Sequence, residues 1–183
     1  MGIKGMILLI LLVEYIGLGA MAYVGYQLHS LIPQYLINFT ATEINSTVTG
    51  PLSIFGHNFA IMTAMSLPFI GPVATAGSMA VTGFFLGAFT AYMAGGVGQG
   101  PLVLAIAYAA TVFLPHGILE LSSYAIATAA SLELTRGILA KRSKEAALRW
   151  LILYAIAVAV LLAAAYVEWW EITTFGRLIH RLM

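Results

Sequence analysis

The two side chains best suited to chemistry are a histidine and a glutamate four positions apart. His116 follows Pro115 directly, and Gly117 lies between His116 and Glu120. Residues at this spacing share one face of a helix and can reach each other. A carboxylate beside an imidazole can bind a cation, pass a proton or act as a general base. The pair can equally be a structural lock, because a helix broken at proline leaves carbonyl groups that need donors where water is absent. We favour the lock.

A second polar pair, His57 and Asn58, opens another apolar segment. With a rise of about 1.5 Å per residue, this pair lies at a depth similar to that of His116 and Glu120. One buried polar cluster is therefore geometrically possible. Asn58 is its expected third member, because an amide offers both a donor and an acceptor. If the cluster is a lock, Glu120→Gln should be tolerated, whereas Glu120→Ala should destabilise the fold.

Glu14 is a third chemical candidate, near the middle of the first apolar segment. A charged carboxylate at that depth costs roughly 2.5 kcal/mol or more on insertion scales. We expect a neutral Glu14 that is hydrogen-bonded to a neighbouring helix. The alternative is an ion or proton site, to which Glu14 would contribute together with the other members of the cluster.

The remaining residue types exclude several kinds of chemistry. The chain has no cysteine, so disulfides, thiolate catalysis and cysteine-ligated metals are ruled out. His116 and Glu120 lack the spacing of a zinc protease, and no third ligand is identifiable nearby. No phosphate-binding loop, dinucleotide fingerprint, nucleophile elbow or haem motif is present. We therefore predict no enzymatic activity, no metal and no cofactor.

The composition of the chain then indicates the solvent that surrounds these polar side chains. Of the 183 residues, 61% are hydrophobic and only 8% are charged, and the mean hydropathy is +0.97. A soluble domain carries roughly 25% charged residues, so this chain has too few to cover a water-facing surface. The lipid bilayer is its predicted surroundings. The net charge of +1 argues against nucleic-acid binding.

The predicted fold is one all-α transmembrane helical bundle that covers residues 1–183. Spanning a bilayer takes about 20 apolar residues. Five segments have about this length and are predicted to span the membrane, namely residues 5–28, 55–71, 73–97, 117–138 and 148–170. The apolar stretch 101–114 is too short to span, so we predict a re-entrant or interfacial half-helix. Residues 172–183 have the pattern of a C-terminal amphipathic helix at the membrane interface.

Charge and glycosylation signals predict how the bundle is oriented. Five of the eight Lys and Arg residues flank one short loop, namely Arg136, Lys141, Arg142, Lys144 and Arg149. Such loops lie in the cytoplasm, and Lys4 places the N-terminus there too. The polar stretch 30–54, predicted to be a loop, then lies outside, and so does the C-terminus. This stretch carries two glycosylation sequons, at Asn38 and Asn45.

Small residues recur every four positions along one predicted helix, at Gly83, Gly87, Ala91 and Gly95. This spacing lets two helix backbones approach closely in lipid. The partner can be another helix of the same chain, or the same helix of a second copy. We predict a homo-oligomer, with close packing along this face.

The segment Pro115-His116-Gly117-Ile118-Leu119-Glu120 resembles the hallmark motif of the stage II sporulation protein M family of integral membrane proteins. The resemblance covers roughly residues 55–139. The family usually has two consecutive asparagines where this chain has His57-Asn58. In spore-forming bacteria the family member works with partner proteins that hydrolyse peptidoglycan. The external sequons would suit an archaeal source, which lacks that polymer.

The resemblance implies a non-enzymatic membrane scaffold or assembly factor, with possible membrane or envelope protein partners. A channel or transporter that uses the buried Glu and His residues is the alternative. A sealed bundle with paired acids would favour the scaffold, and a continuous polar path would favour transport. An intramembrane hydrolase is the weakest hypothesis, because neither a complete nucleophile set nor a metal set is visible.

Overall fold

The structure is a computed structural model that describes residues 2–95 and 101–182; the side chains of residues 41, 43–45, 47 and 175–182 lie outside that description. The described residues form an all-α fold, as predicted, with a short 3-10 turn at His29–Leu31. The seven α-helices are α1 Ile3–Leu28, α2 Gln34–Thr47, α3 Pro51–Ser66, α4 Gly71–Met93, α5 Pro101–Val112, α6 Pro115–Leu139 and α7 Ser143–Leu182.

Proline sets where several of these helices begin. Pro51, Pro101 and Pro115 are each the first residue of a helix, and Pro72 is the second residue of α4. Proline costs little there, because the N–H that it lacks has no partner within the first turn. The breaks expected from these prolines are therefore present, within a few residues of the predicted positions.

Among the residues that the structure describes, three helical segments are long and apolar enough to cross a membrane, namely Ile3–Leu31, Gly71–Met93 and Ser143–Thr174. The fourth candidate is the pair α5 and α6, which is bent by 67° and forms either a broken span or a re-entrant loop. The chain is therefore a multi-pass helical membrane protein. Helix α3, where the sequence predicts a further span, has only 16 residues.

Two predictions about segments outside the apolar spans need correction. The stretch 30–54 was predicted to be a loop but contains helix α2. The hydroxyl groups of Thr40 and Thr42 donate hydrogen bonds to the carbonyl oxygens of Leu36 and Asn38 within this helix. The amphipathic segment 172–183 is the continuation of α7 up to residue 182 and not a separate helix. No proline follows residue 115, so nothing interrupts the hydrogen bonds of this 40-residue helix.

The small-residue face of α4 packs against α1 of the same chain. A Cβ atom added to Gly87 would collide with the carbonyl oxygen of Ala22, and one added to Gly83 would meet the carbonyl oxygen of Leu18. Ala91 is fully buried. Gly95 departs from the prediction, because α4 ends at Met93 and Gly95 has a φ of +73° with no atom near its Cβ position.

Candidate functional site

A polar pocket of about 160 Å³ lies at the break between α5 and α6. Five helices contribute to its wall, and its floor and sides also carry apolar residues such as Leu18 and Met79. Its polar side chains come from four helices, namely His57, Asn58, Ser78, Thr82, Thr111, Glu120 and Tyr124. This pocket brings together more of the predicted site residues than any other part of the described chain.

A sharp corner between α5 and α6 forms one wall of the pocket. Gly117 is buried, and a Cβ at this position would collide with the carbonyl oxygen of Thr111. Only a residue without a side chain lets the first turn of α6 lie so close to the last turn of α5. Pro115 begins α6 and is itself exposed. The Pro-His-Gly sequence therefore builds the corner, which directs Glu120 into the pocket wall.

The donor for the carbonyl groups freed at this corner differs from the predicted one. The Tyr15 hydroxyl of α1 donates to the carbonyl oxygen of Val112 at 3.3 Å. The Tyr108 hydroxyl donates in turn to the carbonyl oxygen of Tyr15 at 2.7 Å. Two tyrosines thus satisfy polar backbone groups here, and His116 is left free for another partner.

His116 and Glu120 do not hydrogen-bond to each other. The Nδ1 atom of His116 lies 2.5 Å from Glu171 Oε2 of α7, and Glu120 Oε1 accepts a hydrogen bond from the Tyr124 hydroxyl at 2.7 Å. Glu120 still interacts electrostatically with both His116 and His57. The four-residue spacing does place the pair close together, but each side chain finds a stronger partner elsewhere.

Asn58 and His57 line the same pocket as Glu120. Asn58 is half-buried and His57 is exposed at the rim. Two of the three predicted cluster members, Asn58 and Glu120, therefore line one pocket, together with His57. His116 is not among the lining residues and stands behind the wall, against α7.

A family model described as stage II sporulation protein M matches residues 5–169. This match includes α1 to α6 and most of α7, and it extends well beyond residues 55–139, where the motif resemblance was visible. The chain belongs to the stage II sporulation protein M family. No curated protein and no solved structure matches the chain.

In this member of the stage II sporulation protein M family, two acids of α7 join the motif residues. Glu171 is 4% exposed and contacts His116, and Glu168 interacts electrostatically with Glu120, His116 and Glu171. Sequence reasoning missed both residues, because they lie about fifty positions from the motif. A signal was present, since two acids flank Trp169-Trp170 at the end of an otherwise apolar segment.

Glu14 is 1% exposed, and neither of its carboxyl oxygens has a hydrogen-bond partner among the described residues. This differs from the predicted bond to a neighbouring helix. The phenol of Tyr124 interacts electrostatically with Glu14 but donates its hydrogen bond to Glu120. Glu14 therefore stays an isolated polar group in the interior of this family member.

Two further features bear on ligands and modification. Within residues 2–95 and 101–182, no three His, Cys, Asp or Glu side chains are arranged to hold a metal ion. The sequon residue Asn38 is exposed on α2. Asn45, the other predicted acceptor, lies outside the described side chains.

Proposed function

We propose that this stage II sporulation protein M family member is a non-enzymatic membrane scaffold that assembles with further copies and with other membrane or envelope proteins. The observation that carries the proposal is that the pocket borders a packed core and spans only part of the bundle's length, from which we infer that it is blind. A scaffold needs buried polar groups that hold helices in place, whereas a channel needs a polar path from one side of the membrane to the other.

The depth of the pocket supports this distinction. Its longest wall runs from Gly117 to Tyr124 on α6, which corresponds to a rise of about 10 Å, or about a third of a hydrocarbon core of ~30 Å. The core of the bundle is filled by fully buried side chains, among them Met62, Met65 and Leu161. Thr75 and Thr128 hydrogen-bond to each other across α4 and α6 at 2.6 Å.

Contacts at the opposite end of the bundle support the proposed topology. Arg136 Nη1 lies 3.4 Å from Met6 Sδ, and the Phe69 N–H donates to Thr135 Oγ1. The N-terminal end of α1, the α3–α4 turn and the basic α6–α7 loop therefore share one end, which we assign to the cytoplasm of the cell. Helix α3 must then traverse the bundle in 16 residues, as the fifth span, and the C-terminus lies outside.

The exposed face of α7 favours a homo-oligomer. The small residues of α4 are already occupied by α1, so a second copy must bind elsewhere. Ala155, Ala159 and Ala163 recur every four residues on α7 and are exposed within the chain. Small residues at this spacing permit close helix packing in lipid, which makes this face the proposed contact between copies.

Native mass and ion flux together test the scaffold. The full chain, reconstituted in nanodiscs, should have a native mass above that of the monomer. In liposomes, it should leave proton, sodium and potassium flux at the rate of protein-free vesicles. A flux clearly above that of the protein-free vesicles would contradict the scaffold, and a strictly monomeric mass would contradict its oligomeric form.

A channel or transporter is the second candidate, and the isolated carboxyl group of Glu14 favours it. Buried ionisable residues in membrane spans often serve ion or proton pathways. Glu14→Met separates the two functions within the same assay. If Glu14 belongs to a pathway, the variant abolishes a measurable flux. On the scaffold account, no flux exists to lose, and the variant unfolds at a higher temperature because an unpaired buried polar group has been removed.

A further inference from the structure

We propose that the pocket binds a small organic ammonium group, of the kind carried by the head group of an ethanolamine lipid. This proposal goes beyond the scaffold function. It rests on the proposed function only in that both treat the pocket as closed at its inner end. Four observations carry the proposal, namely the charge around the pocket, its acceptor atoms, its size and the position of its mouth.

The charge around the pocket favours a cation. Glu120 lines the pocket and interacts electrostatically with Glu168, which interacts in turn with Glu171. No Lys or Arg side chain is among the described residues that line the pocket, and His116 is already engaged by Glu171. The Glu120 carboxyl group thus lines the pocket without a Lys or Arg partner, and a cation bound beside it would stabilise its charged form.

The lining atoms match an ammonium group in their hydrogen-bonding capacity. Glu120 Oε1 is taken by the Tyr124 hydroxyl, whereas Oε2 makes no hydrogen bond among the described residues. The amide oxygen of Asn58 and the hydroxyl oxygens of Ser78 and Thr111 also line the pocket and can accept. A primary ammonium group has three donors and no acceptor, so it complements this set of oxygens.

The volume of the pocket and the side chains around it narrow the choice of ligand further. A pocket of about 160 Å³ is about as large as a cavity that can hold one benzene molecule. That space suits an aminoethyl group but not a folded peptide segment. A metal ion is disfavoured because the described residues offer no group of three ligating side chains.

The mouth of the pocket lies on the surface of the bundle, and its rim carries exposed side chains. His57 and Thr82 are exposed at its rim, so it opens between α3 and α4. Helix α2 lies at the end of the bundle where α3 begins and α4 ends, since the chain continues from α2 into α3 and Gln34 Nε2 donates to the Tyr92 hydroxyl near the end of α4. The amine of a lipid head group can therefore reach the mouth from the hydrated membrane surface beneath α2.

Exposed apolar side chains at the 3-10 turn His29–Leu31 and on α2 support a position at the membrane surface. Leu31, Tyr35 and Phe39 recur every four residues and are 75%, 68% and 62% exposed. Apolar and aromatic side chains at such spacing lie in the head-group region of a bilayer. A head group, rather than a free metabolite, is therefore the ligand source that this geometry favours.

Native mass spectrometry of the full chain in detergent can test the site. The protein is mixed with equal amounts of dioleoyl phosphatidylethanolamine and dioleoyl phosphatidylglycerol, which share their acyl chains. We expect at least tenfold more bound ethanolamine lipid. Glu120→Gln should remove this preference, because the amide has no charge to offer. Glu145→Gln, at an exposed acid of the same charge on the first turn of α7, should keep it.

A second variant and a second ligand complete the experiment. Thr82→Phe fills the mouth from an exposed position, so it should fold even where Glu120→Gln does not, and it should exclude the lipid. Free ethanolamine in excess should displace the lipid; binding of ethanolamine as tight as that of the lipid would assign the site to a soluble amine instead. Equal binding of both lipids, or a preference that survives both variants, would overturn the proposal. Since neither result involves ion flux, such a failure is distinguishable from a failure of the scaffold function.

Discussion

Gly87→Leu should prevent stable folding of the chain, because the backbones of α1 and α4 touch at this residue. A Cβ at Gly87 would collide with the carbonyl oxygen of Ala22, and a Cβ at Gly25 would collide with that of Phe84. The obstacle is helix backbone, which cannot rotate away as a side chain can. Overpacking of a core typically costs about 1–3 kcal/mol, and we expect the loss here to be at the upper end or beyond.

Thermal unfolding in detergent, followed by circular dichroism, measures this effect. Gly77→Leu is the matched control, since Gly77 lies on α4, is exposed and has no atom within 4 Å of its Cβ position. The control should unfold at or above the wild-type temperature. Equal unfolding temperatures for Gly87→Leu and Gly77→Leu would show that the two helices do not make this contact.

His116→Ala should destabilise the chain by about 1–3 kcal/mol, the usual cost of leaving a buried hydrogen-bonding group without its partner. Glu171 is 4% exposed, and its Oε1 atom already has no hydrogen-bond partner among the described residues. Loss of the imidazole would leave the whole carboxyl group unpaired in the bundle. The ordered corner at the start of α6 would then lose its connection to α7.

Two further variants distinguish this pair from a general effect of losing histidine. His57→Ala removes an exposed ring at the pocket rim and should change stability little. The double variant His116→Leu and Glu171→Leu replaces both polar groups with apolar ones and should recover much of the stability that His116→Ala loses. If His116→Ala and His57→Ala unfold at the same temperature, the His116–Glu171 contact does not stabilise the fold.

How much of the fold can be predicted from sequence depends on the physical signal in each segment. Pro51, Pro101 and Pro115 each stand at the start of an apolar segment, so the helix starts could be predicted within a few residues. Helix α2 was harder, because threonine and asparagine residues are typical of loops. In this helix, threonine hydroxyls bond back to carbonyls four residues earlier, and composition alone does not reveal that local arrangement.

The candidate site was predictable where its residues share one helix and unpredictable where they do not. The four-residue spacing places His116 and Glu120 together, and depth counting places Asn58 on the same pocket. Glu171, by contrast, comes from a helix whose length was underestimated, since the interface signal of Trp169-Trp170 suggested that α7 ends there. The pairing of distant helices depends on packing across the whole bundle, which helical periodicity does not encode.

The central claim is that the polar pocket ends inside the bundle, and single cysteines in this cysteine-free chain test it most directly. Ser78 lines the pocket, whereas Thr128 is 2% exposed and hydrogen-bonded to Thr75 beyond it. In oriented vesicles, a membrane-impermeant thiol reagent should label Ser78→Cys from the side of α2 alone. It should label Thr128→Cys from neither side. Labelling of Thr128→Cys, or of Ser78→Cys from the side of the basic loop, would reveal a continuous aqueous path and contradict the scaffold account.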